Sequence, residues 1–295
     1  KEKIYNRIKY NWGNDSLIHT EKEDALALLR NWFSAPLNAE PENAVLFYKN
    51  SDAHLTNLWI KSHCLKNGND INSNDLLIVN NNININDQTG FGHPTRIYNG
   101  MYLKVLNVGE NYRVSVPIKQ SKEPIELDYI KLNVKCLSIP NVPEVEVLLL
   151  NNYFSNSDGL SNEEQIALRV HLSKKVNSRK SEHPFEQSAE LQELHASTSW
   201  DELKKELQQL KEELLRGGKV KGKVEEKEVA MRKLERASKK RYSLRMIHEI
   251  SSIDLETNAL MGAYGWAINV HKSVGSSFQQ VILKALQNEN SGINN

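Results

Sequence analysis

Tyr264-Gly-Trp-Ala-Ile-Asn-Val-His-Lys-Ser-Val-Gly-Ser-Ser-Phe278 joins an apolar run of strand length to a polar turn that carries a glycine, and residues 278–283 turn apolar again. A buried strand that empties into His271, Lys272 and Ser273 puts an imidazole, an ammonium and free backbone N–H groups at the carboxyl edge of a sheet, where phosphates are held. The spacing predicts one strand over Tyr264–Val270 and a second over Phe278–Leu283. A matching strand lies near the other end of the chain: Ala44-Val45-Leu46-Phe47-Tyr48 is a continuous apolar run, the kind a parallel strand covered on both faces shows. Before it, Ala25, Leu26, Leu28, Leu29, Trp32 and Phe33 fall at helical spacing over 22–35, with Glu21, Glu23 and Asp24 towards the amino end. After it, Ser51 to Cys64 returns to helical spacing through Leu55, Leu58 and Trp59. Helix, strand and helix open an α/β layer, so an α/β lobe is expected from residues 1–70 and 253–295, with everything between inserted into it.

The insertion has two textures. Over residues 71–152, short β-type runs at Leu76–Val79, Met101–Val108, Arg113–Ile118, Tyr129–Leu137 and Val145–Leu150 are parted by Gly, Asn or Pro turns such as Asn99-Gly100, which predicts a small five-stranded barrel. Residues 153–252 are polar and helical. Leu203, Leu207, Leu210 and Leu214 mark the seam of a short coiled coil or helical hairpin, Gly217-Gly218 breaks it, and helical pattern resumes from Glu225 to Ile250. The break, Gly217-Gly-Lys-Val-Lys-Gly-Lys-Val224, imitates a phosphate loop up to its last position. There Val224 replaces the hydroxyl that would hold magnesium, and a polar helix rather than a buried strand precedes it, so it reads as a basic hairpin tip.

The chain's 295 residues carry 38 basic and 37 acidic side chains, so any electrostatic footprint must be local. Between Arg216 and Arg245 twelve Lys and Arg stand against four Glu, and Lys239, Lys240 and Arg241 form its densest run, a candidate surface for nucleic-acid backbone. Tyr242 is the only aromatic in that segment, which favours phosphate contact over base stacking. Two cysteines, Cys64 and Cys136, without ligand spacing point to a reducing, cytoplasmic setting and away from structural zinc. The nine histidines show no HExxH pattern and no GxSxG is present, so a metal enzyme or serine esterase is excluded on motif grounds. Val145–Leu150 is far short of the ~20 apolar residues a membrane helix needs. The opening Lys1-Glu2-Lys3, without an initiator Met or an apolar signal segment, reads as the interior of a longer polypeptide.

Residues 266–278 resemble motif V of superfamily 1B helicases of the RecD type, the branch of the exodeoxyribonuclease V alpha chain, whose usual form is Tyr-Ala-x-Thr-x-His-Lys-x-Gln-Gly-x-Glu-Phe. His271, Lys272, Ser273 and Gly275 match it, whereas Asn269, Val274 and Ser277 stand where the family has Thr, Gln and Glu. Val45-Leu46-Phe47-Tyr48-Lys49-Asn50, followed by Asn57 and Ile60-Lys61, resembles the family's motif IV strand and Asn-bearing loop, with Lys61 in place of Arg. Asn74-Asp-Leu-Leu-Ile-Val-Asn-Asn-Asn82, Ile97-Tyr-Asn-Gly-Met101 with its strand ending in Val108-Gly109, and Asn258-Ala-Leu260 resemble the family's inserted SH3-like module and the approach to motif V. The resemblance covers roughly residues 1–155 and 253–283.

The resemblance implies a RecA-like second lobe with an inserted SH3-like β-barrel and a helical, coiled-coil insertion. It implies single-stranded DNA contacts at Asn50, Asn269, His271, Lys272 and Ser273 and nucleotide contacts at Gly275 and Ser277; the charge of the basic insertion, outside the resemblance, adds Lys239, Lys240 and Arg241 as candidate DNA contacts. Loss of the carboxylate at position 277 weakens the nucleotide side relative to the DNA side. ATP and magnesium belong to the family's first lobe, which would be this chain's partner. The phosphate loop, acidic magnesium motif and arginine finger of such motors are not legible in these residues, so no metal site and no ATPase activity of the chain alone are expected. The competing expectation is a non-enzymatic module, derived from a degenerate helicase lobe, that binds nucleic acid or a protein partner through the helical insertion.

Overall fold

A computed structural model describes residues 22–68, 70–85, 95–139 and 144–283. Helix α1 (Lys22–Trp32) leads into strand β1 (Asn43–Phe47) and helix α2 (Asn50–Trp59), which continues as a π-helical turn over Ile60–Cys64. Strands β2 (Leu76–Val79), β3 (Ile83–Ile85), β4 (Thr95–Ile97), β5 (Tyr102–Val116), β6 (Ile125–Cys136) and β7 (Val145–Leu150) follow. Then come helices α3 (Asn151–Phe154), α4 (Asn162–Glu182), α5 (Ala189–His195), α6 (Thr198–Leu215) and α7 (Lys221–Ile253), and strands β8 (Gly262–Tyr264), β9 (Ala267–Asn269) and β10 (Gln280–Leu283) close the described chain. Glu21, expected at the start of the first helix, lies outside the described residues.

The mixed α/β class holds. β1 is the middle strand of a three-stranded parallel sheet, order β10-β1-β9. The first and last described strands therefore pair, and the described segments between them are threaded in between. A five-stranded antiparallel sheet has the order β7-β6-β5-β2-β8, and β3 pairs with β4 in a separate hairpin.

Three strand expectations are corrected. The runs at 101–108 and 113–118 are one strand, β5, whose register against β6 shifts between Val105 and Asn107 and between Val108 and Asn111. Bulges absorb the turn-like Gly109-Glu110-Asn111, and β6 approaches Gly109 closely: a Cβ there would lie 3.3 Å from the Lys131 carbonyl. The predicted strand over 264–270 is two strands in different sheets. β8 pairs antiparallel with β2, the chain bends at Gly265-Trp266, β9 pairs parallel with β1, and Val270–Ser273 forms a 3-10 turn. Gly265 fits tightly here: a Cβ would meet the Tyr102 ring at 3.1 Å and Leu76 at 3.2 Å, so either side chain would have to shift by a few tenths of an ångström to admit one. Finally, the antiparallel sheet is not closed into a barrel. Its fifth strand is β8, too short to zip against β7, so the edges meet at a single bridge where Leu150 N–H donates to the Leu260 carbonyl (3.0 Å) and Leu260 N–H to the Leu148 carbonyl (2.7 Å).

One hydrophobic core runs through both sheets. Leu29, Phe33, Val45 and Phe47 of the α/β layer and Leu77, Leu103, Leu132 and Leu149 of the antiparallel sheet belong to the same buried cluster as Trp266. The outer face of the antiparallel sheet has its own cluster, in which Leu127, Tyr129 and Leu150 are covered by Ala167 of α4 with Ile166 and Leu168 beside it. The start of α4 is therefore part of the sheet's core rather than of a detachable insertion. It is fixed by a capping box in which Ser161 accepts from Glu164 N–H and the Glu164 carboxylate accepts from Ser161 N–H. Beyond it, α6 folds against α7 as the leucine seam predicts, with Leu203, Leu207 and Leu210 half-buried and Leu214 exposed.

Candidate nucleic-acid interface

Phe47 and Asn269 are register partners at the carboxyl ends of β1 and β9. From that level edge the chain enters α2 at Asn50 and the 3-10 turn at Val270, and the two starts are tied together: the Asn269 amide donates to Asn50 Oδ1 at 2.5 Å, and Asn269 Oδ1 caps the turn by accepting Lys272 N–H at 2.8 Å. Ser273 Oγ donates to the Val270 carbonyl at 2.8 Å, which holds the turn closed. Asn50, Asn269, His271, Lys272 and Ser273 thus stand at one edge of the parallel sheet. The α2 amino end has Lys49 at its N-cap and no capping side chain, so the partial positive charge of the helix end adds to the edge.

Lys272 is the unusual member. Its side chain is half-buried, burial lowers its pKa, and among the described residues no carboxylate or carbonyl partners its ammonium. A desolvated cation without a counter-charge is the arrangement an incoming anion relieves. His271 beside it is exposed. Tyr48, which sequence reasoning passed over, emerges from the end of β1 at 63% exposure next to Lys49 and Asn50, so an aromatic face stands at the same edge as the cation. Its position was legible as the last residue of the apolar run, but its exposure was not.

Gly275 and Ser277 are exposed in the link from the turn to β10, with Gly275 at φ +88°, and Val274 between the turn and Gly275 is 81% exposed. Lys239, Lys240 and Arg241 lie on α7, a separate element. The Lys239 ammonium sits 5.8 Å from the Phe185 ring centre and Arg241 pairs with Glu193 at 3.5 Å. Arg232 pairs with Glu228 of the same segment, and Lys227 pairs with Glu206 and Arg245 with Glu190 and Glu249, so with Glu193 four glutamates from outside the segment offset part of the charge counted along it. The glycine-rich imitation of a phosphate loop spans the connection between α6 and α7 and the first turn of α7, and a helix rather than a strand precedes it.

Asn57 and Lys61 turn out to be structural. Asn57, 2% exposed, donates to the Tyr264 carbonyl (3.0 Å) and the Ala267 carbonyl (2.7 Å) and accepts Ala267 N–H (2.7 Å), clamping the bend between β8 and β9. Lys61, fully buried, donates to the Asp75 carboxylate, the Asp70 carbonyl and the Tyr264 hydroxyl. Asp75 also accepts Asn72 N–H at 2.7 Å and the Asn67 amide at 3.0 Å. Burial draws Lys61 down and Asp75 up, and the surrounding bonds oppose both shifts. This latch joins α2 to the antiparallel sheet. Nothing in the spacing of positions 61 and 75 announced it.

Among the described residues no group of His, Cys, Asp and Glu could hold a metal ion, and no helix is long and apolar enough to cross a membrane. No protein-family model matches this chain, and no curated protein matches it.

Proposed function

We propose that this chain is the second-lobe part of a RecD-type superfamily 1B DNA helicase. In this reading the parallel sheet is a RecA-like half-site, the antiparallel sheet an opened SH3-like module, and the carboxyl edge of β1 and β9 grips the backbone of single-stranded DNA. The observation that carries the reading is the half-buried Lys272, whose ammonium has no partner among the described residues, in the turn that Asn269 caps while bridging to Asn50. A phosphate oxygen would supply the counter-charge Lys272 lacks, and the exposed ring of Tyr48 offers a stacking face to an adjacent base. The resemblance at His271, Lys272, Ser273 and Gly275 supplies the family. ATP and magnesium would be held by the family's first lobe.

A second reading, a non-enzymatic nucleic-acid-binding or protein-binding module derived from such a lobe, is favoured by the nucleotide side. Val274 is 81% exposed where the family carries Gln, and Ser277 is exposed where it carries Glu. Fluorescence anisotropy with a labelled oligothymidylate separates these readings from neither being right. Binding should be saturable at low salt and weaken steeply as salt rises, and Lys272→Ala should reduce affinity about tenfold. An affinity unchanged by Lys272→Ala, or no binding at low salt, overturns the DNA-gripping assignment. Reconstitution with a RecD-type first lobe then divides the two readings, since DNA-stimulated phosphate release is expected from the helicase alone.

A further inference from the structure

A lysine amine held out of water and left without an acceptor is a nucleophile as well as a cation. Among the described lysine side chains, those partly or wholly withdrawn from solvent are Lys61, Lys104, Lys175, Lys180, Lys227 and Lys272. All but the last have an acceptor. Lys61 is held by Asp75, Asp70 and Tyr264, Lys104 by Asn38 Oδ1 at 2.6 Å, Lys175 by Asp254 at 2.5 Å and Glu256 at 2.6 Å, Lys180 by Ser243 Oγ at 3.1 Å, and Lys227 by Glu206. Such bonds occupy the ammonium protons and favour the charged form, and full burial closes Lys61 to any reagent. Lys272 stands apart: no described residue accepts from its amine.

The fold imposes this environment. Asn269 Oδ1 accepts Lys272 N–H at 2.8 Å and Ser273 Oγ donates to the Val270 carbonyl at 2.8 Å, so the backbone that carries the side chain is fixed in the 3-10 turn. Burial alone lowers the Lys272 pKa, with no neighbouring charge contributing, and the unprotonated amine is therefore more populated near neutral pH than in a fully solvated lysine. The residue nonetheless meets solvent, and the flanking His271, Val274 and Gly275 are exposed, so the turn is open to a small reagent.

We propose that Lys272 is a modification site, acylated on Nζ by a small activated acyl donor, an acyl phosphate or an acyl thioester. The unprotonated Nζ adds to the donor's carbonyl carbon, and the C–O bond to phosphate or the C–S bond to the thiol breaks. The leaving group departs with the electron pair, and one amine proton passes to it or to water. The product is an uncharged amide, which needs no counter-charge where the ammonium has none. At the edge of β1 and β9 acylation removes the cation that a phosphate would meet. That consequence rests on the DNA grip proposed above, whereas the modification does not.

The first test uses the unaltered chain. It is treated near neutral pH with acetyl phosphate in one arm and with the acetyl thioester of N-acetylcysteamine in the other, and acetylation of each lysine is followed by peptide mass spectrometry. Lys272 should react at least about threefold faster than the exposed Lys49, since each unit by which a pKa falls multiplies the neutral fraction about tenfold while half-burial slows approach. In urea strong enough to unfold the chain the two should react alike. A preference in only one arm identifies that donor as the source. Lys272 reacting no faster than Lys49 in either arm overturns the proposal, as does a preference that survives unfolding, because the reactivity would then come from the local sequence and not from the fold. Acetylated parent protein should then bind oligothymidylate about tenfold more weakly, whereas Lys272→Arg, which keeps the charge, should hold its affinity through the same treatment. If Lys272 is acetylated first and the affinity does not fall, the modification stands and the DNA grip is what fails.

Discussion

Replacing Asn57 by Ala would remove the clamp that makes one continuous apolar run into strands of two different sheets. Three backbone groups lose their partner: the Tyr264 and Ala267 carbonyls and the Ala267 N–H. Because Asn57 is 2% exposed, water does not reach them without opening the bend. A buried polar group left unsatisfied costs about 1–3 kcal/mol, so the loss is about 3 kcal/mol at the low end, before the cavity is counted. Asn57→Asp is the sharper variant. It keeps an acceptor for Ala267 N–H but turns a second oxygen towards two carbonyls, so it should destabilise at least as much although the volume is unchanged. Urea unfolding followed by tryptophan fluorescence measures both, with Trp266 in the bend itself at 1% exposure. A loss below about 1 kcal/mol for Asn57→Ala, or an Asp variant as stable as the parent protein, would refute the clamp.

Lys61→Met should destabilise by about 3–5 kcal/mol, since it strands the Asp75 carboxylate in the core, and Asp75→Leu added to it should restore part of that in the same urea assay. Acid should weaken the attachment of α4. Asp254 and Glu256 are held below their ordinary values of 3.8 and 4.5, so their contribution is present above those values and is lost as pH falls through the folded pKa values. Lys175→Met should therefore flatten the fall in unfolding midpoint between about pH 5 and pH 3. Removing residues 184–241 and bridging His183 to Tyr242, which the Tyr242 hydroxyl already joins by donating to the His183 carbonyl at 2.5 Å, should leave a cooperatively folding protein by circular dichroism. Removing residues 159–251 should not, because Ala167 and its neighbours cover the outer face of the sheet.

The α/β layer was legible because both halves announce themselves by apolar runs, 44–48 and 264–270, whose pairing needs only that they be parallel and buried. The bend at Gly265 was not legible, since a run of apolar residues fits one strand as well as two, and only the nearness of Tyr102 and Leu76 in the fold favours a glycine there. Gly109-Glu110-Asn111 carries turn composition, yet cross-strand pairing with β6 overrode it with bulges. In the site, Asn50, Asn269 and Lys272 were readable as residues at or just after strand ends. The role of Asn57 depended on a contact 210 positions away, which local spacing does not encode. The basic stretch of α7 overstated its charge for a similar reason: Glu190, Glu193 and Glu206, which offset it, come from neighbouring helices.

Photo-crosslinking tests the central claim most directly. An oligothymidylate carrying bromodeoxyuridine, irradiated on the intact chain and mapped by mass spectrometry, should attach to peptides containing Tyr48–Ser51 and Asn269–Val274, and excess unlabelled single strand should abolish both adducts. Adducts confined to Lys239–Arg241, or none at the carboxyl edge of β1 and β9, would contradict the assignment of that edge to single-stranded DNA.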